Sequence, residues 1–267
     1  MIVREIECKS ILTRSGIEGV DYALNPYVGC QHACAYCYAT FIKRFTGHHE
    51  EWGAFVDVRV NAAEVLARQL RRAQPGLVMF SSVTDAYQPL ESKYGITRRC
   101  LEVLAGHDLP VSILTKSALV LRDLDLIRRL KDPDVALTIT TLDEEVRRRF
   151  EPHSSSSAER LEALSALTEA GISTWVFCGP LLPILSDGEA EMEALFGEIA
   201  RVGVKSILVD SLNLRGACWG RIRPVLEAHY PDLVEAYLSL LADRRPYHDA
   251  LMERARQIAA RKGLAVR

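Results

Sequence analysis

Three of the chain's seven cysteines fall within eight residues as Cys30-x3-Cys34-x2-Cys37, inside the stretch from Asn25 to Tyr38. Thiolates this close can converge on one metal centre if the backbone wraps around it. A closed zinc site asks for four ligands, usually as two separated Cys-x2-Cys pairs. Neither a second pair nor a Cys or His pair at zinc-finger spacing follows downstream. Three thiolates without a fourth suit a 4Fe–4S cluster that keeps one iron open for a non-protein ligand. A non-catalytic zinc or Fe–S protein is the competing reading. Gly29 precedes the motif, at a point where the backbone must turn sharply and a bulkier residue would clash.

The elements that must position these thiols follow a β-α rhythm. Val20 to Val28 reads as a first strand, and residues 39–45 as a short helix. The apolar run at residues 77–80 reads as a strand buried on both faces, and the runs at 111–115, 135–141, 173–178 and 206–210 read as further strands, that at 135–141 rich in β-branched residues. Between them lie helical stretches at 62–73, 97–104, 123–130, 144–150, 158–170 and 187–202, with Asn61, Thr97 and Asp143 as candidate caps and Asp123 opening its helix. The run Ser154 to Ser157 reads as the cap of the helix that follows it. Gly171 and Gly203 stand where helices should end.

Strands alternating with helices imply a parallel sheet with crossover helices. About six strands are too few for the full eight-stranded barrel of ~250 residues. The expected fold is therefore α/β, a partial (β/α)6 barrel of the TIM type. A helical C-terminal extension would span residues 216–267, with the barrel and an N-terminal lead-in occupying 1–215. A doubly wound open sheet is the alternative.

Composition bounds the class. The chain has 267 residues, 48% hydrophobic and 25% charged, with a net charge of −2. A nucleic-acid binder is more often basic overall, so any such contact would rest on a local patch. No stretch of eighteen apolar residues is present, and acids stand where a signal peptide would be apolar. These features point away from the membrane and toward a cytoplasmic protein. An odd cysteine count argues against a disulfide scaffold and suits a reducing compartment. Cys8 and Cys100 read as packing residues, and His48-His49 as a solvated loop.

Parallel barrels gather functional groups at the carboxyl ends of their strands. Polar residues follow the apolar runs there: Ser81 to Asp85, then Thr115-Lys116-Ser117, then Thr138, Thr140 and Thr141, then Cys178-Gly179, then Asp210 to Asn213. Trp219-Gly220-Arg221-Ile222-Arg223 would lie near the same mouth and pairs an aromatic with cations.

Cys30-x3-Cys34-x-Tyr36-Cys37 resembles the Cys-x3-Cys-x-aromatic-Cys signature of radical S-adenosylmethionine (radical SAM) enzymes. Ser82-x-Thr84-Asp85-x-Tyr87-Gln88-Pro89-x-Glu91, Leu114 to Ser117, Thr140 to Asp143, Glu151-Pro152 and Arg160-Leu161 resemble the spore-photoproduct-lyase-like, or DNA repair photolyase-like, branch. The likeness covers roughly residues 20–215.

It implies a partial barrel, a 4Fe–4S cluster on Cys30, Cys34 and Cys37, and S-adenosylmethionine chelated to the open iron. Reductive cleavage would yield a 5′-deoxyadenosyl radical that abstracts hydrogen from a substrate. Tyr36 would pack near the adenine, and Thr84 and Asp85 near the amino group. Lys116 would lie near the carboxylate, Thr140 near the ribose or carboxylate, and Arg160 is a further cofactor candidate. An ammonium wants an acceptor such as Asp85, and a carboxylate wants Lys116 or Arg160. A one-electron donor, flavodoxin or ferredoxin, is implied.

Spore photoproduct lyase carries a hydrogen-returning Cys in the loop that here reads Ser81 to Asp85, without a thiol. Cys178 is the candidate donor in its place, with Cys218 similar. The substrate is a nucleic acid or nucleotide on the branch name, or else a small molecule or peptide.

Overall fold

A computed structural model describes residues 1–214, 217–242 and 244–267. In chain order the strands are β1 (Ile2–Ile6), β2 (Leu12–Arg14), β3 (Tyr22–Leu24), β4 (Tyr27–Val28), β5 (Phe55–Arg59), β6 (Val78–Phe80), β7 (Pro110–Thr115), β8 (Lys131–Thr138), β9 (Ser173–Leu181), β10 (Ser206–Ser211) and β11 (Ala265–Val266). The main sheet runs β2-β3-β6-β7-β8-β9-β10-β11. From β3 to β11 every pairing is parallel; β2 alone runs antiparallel. Six of these strands, β3 and β6 to β10, form the expected partial barrel of the TIM type.

The core explains the order. Val78, Phe80, Val111, Ile113, Val135, Leu137, Val176 and Ile207 are buried from solvent and belong to one apolar cluster. The crossover helices close over it, each with a buried stripe: Val65, Leu66 and Leu70 on Ala62–Leu70, Leu161, Leu164 and Leu167 on Ser157–Glu169. Burying each such Leu contributes roughly 1.5–3 kcal/mol. Asp143 caps Glu144–Phe150 by accepting from the amides of Glu145 and Val146, as its position predicts.

Several local expectations are corrected. The first strand is two: β3 joins the barrel, whereas β4 pairs with β5 in a small sheet of order β1-β5-β4. Asn25 and Pro26 lie between them, and proline has no N–H to continue a ladder. Asn61 makes no cap; its amide holds both backbone groups of Cys8. Thr97 lies inside the helix Ile96–Leu104, which begins after Gly95 at φ +60°. Its hydroxyl donates to the Ala86 carbonyl. Asp123 does open a helix, but it is short, Leu124–Ile127 rather than reaching residue 130, and a 3-10 turn, Ala118–Asp123, precedes it.

The strand expected to reach residue 141 ends at Thr138, so Thr140 and Thr141 lie beyond it. His48 is buried, not solvated. It bonds Asp57 at 2.8 Å and Glu50 at 2.9 Å, with its ring stacked on Phe55.

The C-terminal part does two different things. Arg245–Arg261 packs Leu251, Ala255, Ile258 and Ala259 into the main core and leads to β11, which extends the barrel sheet beside β10. Ala217–His229 and Val234–Ala242 belong to a second apolar cluster, with Ile222, Leu226 and Tyr237 packed among Cys34, Tyr36, Phe150 and Leu182. The end is therefore partly a cover over the cysteine loop and partly a continuation of the barrel. The expected boundary at 215/216 lies outside the described residues. No helix among the described residues is long and apolar enough to cross a membrane.

Candidate active site

A cavity of about 400 Å³ opens at the carboxyl ends of the barrel strands. Strand alternation decides which side chains reach it. Met79 of β6, Leu114 of β7, Thr138 of β8 and Phe177 of β9 face it, while Phe80, Ile113, Leu137 and Cys178 are buried in the core. Cys30, Cys34 and Cys37 form part of its wall, on the loop between β4 and the 3-10 helix Tyr38–Phe45.

That loop is held by the segment after β6. Thr84 donates its hydroxyl to the Gly29 carbonyl at 2.6 Å. Gln88 accepts from the Gln31 amide at 2.8 Å. Gly29 adopts φ +85°, and a Cβ there would lie 2.5 Å from the Phe55 carbonyl, so the expected need for glycine is met twice over.

Asp85 lines the cavity, but its carboxylate is spent on protein donors. One oxygen accepts from the Tyr87 amide at 2.8 Å and the Thr115 hydroxyl at 2.6 Å. The other accepts from the Lys116 amide at 2.9 Å and lies 3.3 Å from His32 Nε2. Three protein donors and the neighbouring His32 thus surround the carboxylate. Burial opposes its charge, yet His32 and these hydrogen bonds win and hold it well below the usual carboxylate range. Within the protein, Asp85 organises the loop.

Lys116 is the contrasting case. Its Nζ stands 5.7 Å from the centre of the Tyr36 ring, and it makes no hydrogen bond or ion pair to any described residue. Burial works against its charge, but Cys34, Glu151 and Asp85 outweigh burial and raise its pKa. It is a charged group with free donors facing the cavity.

Behind Tyr36 lies a closed polar layer. The Tyr36 hydroxyl donates to Glu151, which also accepts from Thr140 at 3.1 Å and from the Arg160 guanidinium. Arg160 further donates to the carbonyls of Thr138 at 2.7 Å and Ser155 at 2.9 Å and to the Ser154 hydroxyl. Arg160 and Thr140 do not line the cavity. Through Glu151 both support Tyr36 from behind, set back from the cavity where cofactor contacts were expected. Burial by itself would raise the Glu151 pKa; Arg160 and Lys116 overcome it and bring it to about 2.

Cys178 is likewise corrected. It is buried in the main core, and burial alone pushes its thiol far up. Its neighbours Phe177 and Gly179 reach the cavity instead. Cys218, on the first turn of Ala217–His229, does line the cavity and approaches the Tyr36 carbonyl at 3.5 Å. Of the two cations flagged with Trp219, Arg223 pairs with Glu227 at the surface, while Arg221 turns inward and donates to the Ala33 carbonyl of the cysteine loop at 3.1 Å.

Sequence reasoning gave no role to Glu151, Gln88 or His32. Glu151 and Gln88 stood within quoted motifs, and His32 lies inside the cysteine motif. Their partners are 57 to 121 positions away, so no local spacing marks them.

The donor set fits an iron–sulfur cluster. All three thiols are held mostly away from water, and burial raises each of them, Cys34 to about 12. Such thiols stay protonated until a metal displaces the proton. Arg221 Nη1 is buried beside this loop without an acceptor, and with Lys116 it offers positive charge to an anionic cluster. No three His, Cys, Asp or Glu side chains among the described residues converge as a single-ion site. A cluster needs no such convergence, since each thiolate binds a different iron.

The comparisons agree. Residues 24–196 match the model of the radical SAM superfamily. The chain is 32% identical to an uncharacterised protein of Methanocaldococcus jannaschii, over 98% of this chain and 96% of that one. It is 23% identical over 224 residues to a protein of Pseudomonas phage M6 described as radical SAM Nalpha-GlyT isomerase, covering 82% of this chain and 45% of that one.

Among solved structures, a spore photoproduct lyase mutant with bound AdoMet and dinucleoside spore photoproduct superposes with a TM-score of 0.72. The identity is 18%, covering 99% of this chain and 80% of that one. The chain belongs to the radical SAM superfamily and is a radical SAM enzyme. Members of that family use a 4Fe–4S cluster and S-adenosylmethionine and need an electron donor.

Proposed function

We propose that this enzyme turns radical SAM chemistry on a nucleic acid, at a base or sugar presented to the cavity mouth. When bound and reduced by a flavodoxin or ferredoxin, a 4Fe–4S cluster with S-adenosylmethionine would supply radical hydrogen-abstraction chemistry at the cavity. The protein's part is to bind, orient and exclude water. Cys30, Cys34 and Cys37 would hold the cluster. Lys116 would receive the methionyl carboxylate, and the Tyr36 ring would support the adenine, fixed from behind by Glu151. Thr84 closes the cysteine loop. The observation that carries this reading is a cavity that joins the three thiols to Lys116, whose ammonium lies over Tyr36 with no hydrogen bond or ion pair to any described residue.

The nucleic-acid part is supported by the dinucleoside bound in a solved protein of the same fold. Asp210, Ser211 and Asn213, at the β10 end, also line the cavity.

The test is anaerobic reconstitution followed by reductant, S-adenosylmethionine and candidate substrates. The expected product is 5′-deoxyadenosine, labelled when a deuterated oligonucleotide is supplied, and absent in Cys34→Ala. Production of 5′-deoxyadenosine by Cys34→Ala would remove the cluster reading. Label transfer from a peptide or small molecule, with none from an oligonucleotide, would replace the substrate class.

A further inference from the structure

The mouth of the cavity carries a strip of exposed aromatic rings and a cation. The 3-10 helix Tyr38–Phe45, which begins immediately after Cys37, leaves Tyr38, Phe41 and Phe45 exposed by 62%, 41% and 70%. The Tyr38 and Phe41 rings stand 6.5 Å apart and within 25° of parallel. The Arg44 guanidinium lies 5.5 Å from the centre of Phe41 and 4.9 Å from that of Phe45. Arg44 has no ion pair to any described residue.

Two features say what this strip meets. The first is continuity. Tyr38 is also a wall of the cavity, and its hydroxyl donates to the Ser82 carbonyl. The strip therefore runs from solvent to the reaction chamber. The second is charge. No Asp or Glu occurs from Gln31 to His49, while Lys43 and Arg44 do, in a chain whose net charge is −2. A local cationic strip interleaved with flat rings suits a polyanion that carries flat groups of its own. Bases stack on aromatic rings and on guanidinium planes, and Lys and Arg meet the phosphates. An acidic redox protein would satisfy the two cations, but it gains nothing from three open rings that end inside the cavity.

We propose that Tyr38, Phe41, Arg44 and Phe45 form the docking platform for single-stranded nucleic acid, leading one nucleotide into the cavity. This rests on the nucleic-acid reading above and adds where the strand lies and that it is unpaired.

The test is fluorescence anisotropy of a labelled oligothymidylate against the reconstituted full chain at low salt. The expected result is measurable binding, weaker by about tenfold or more in the Phe41→Ala/Phe45→Ala double variant. Phe45→Trp, which keeps a ring, should hold near wild type. Lys43→Gln should lower the salt slope by about 0.7. Iron content and melting temperature confirm that the variants are folded, which their solvent-exposed positions favour. Wild-type binding that the double variant retains in full would overturn the platform and leave the substrate class standing. Absence of any wild-type binding would overturn both. Unchanged oligonucleotide binding together with slower cluster reduction by flavodoxin would assign the strip to the electron donor and also overturn the proposal.

Discussion

The cavity wall and the layer behind it use the same kinds of side chain in opposite ways. On the wall, Lys116 lies over Tyr36 with its ammonium unbonded to any described residue. A few ångströms behind the ring, Arg160 donates to Glu151, Ser154, Ser155 and Thr138 and meets no cavity. A buried cation whose donors are all used holds the fold; one with free donors is ready for a ligand. The same division separates Cys178, sealed in the core, from Cys30, Cys34 and Cys37 on the wall.

Breaking the rear layer should have the largest effect on stability. Glu151→Ala leaves Arg160 buried without its charge partner, at a cost of roughly 3–5 kcal/mol, read by chemical denaturation. A loss below about 1 kcal/mol would mean that the layer is not what fixes Tyr36.

The same layer predicts an acid limit. The folded pKa of Glu151 is depressed to about 2, so its ionised form stabilises the fold. That contribution is complete above the ordinary carboxylate pKa of about 4.3 and is lost as pH falls toward 2. Melting temperature against pH should decline over that window more steeply in wild type than in Glu151→Gln. Matching profiles would assign the acid sensitivity to other carboxylates.

On the wall, the prediction reverses. Lys116→Met should cost about 1 kcal/mol of stability, less than Glu151→Ala because the Arg160 pair to Glu151 remains, but weaken S-adenosylmethionine binding by about 10- to 100-fold, the worth of a charge-assisted hydrogen bond. Calorimetric titration of the reconstituted protein measures it; unchanged affinity would break the contrast between the two cations. The smallest effect is expected from Cys178→Ala. It should cost about 1 kcal/mol and leave the distribution of solvent deuterium in the product unchanged. A redistributed label would bring Cys178 back as the donor.

Much of this was legible in advance. The cysteine spacing, the β-α rhythm and the turn at Gly29 are local facts, and each survives in the fold. The run Ser154 to Ser157 shows the limit. It reads as a helix cap, and Ser156 does form a capping box with Glu159. Yet Ser154 bonds Glu151 and Arg160, and Ser157 holds the Thr141 carbonyl. Those roles depend on how the chain folds around the buried Glu151 and Arg160, which a run of serines does not reveal.

Sequence alone determined the donor set, the parallel α/β class and the list of polar residues at strand ends, because motif spacing and hydrophobic period are short-range properties. Only the tertiary structure decided which of those residues face the cavity. One step along β9 exchanges Phe177 for Cys178, and the reach of a side chain across the barrel decides whether a cation finds a partner. Asp85, Arg160 and Thr140 found theirs within the protein; Lys116 did not, and the cavity beside Cys30, Cys34 and Cys37 is where its free charge points to a ligand.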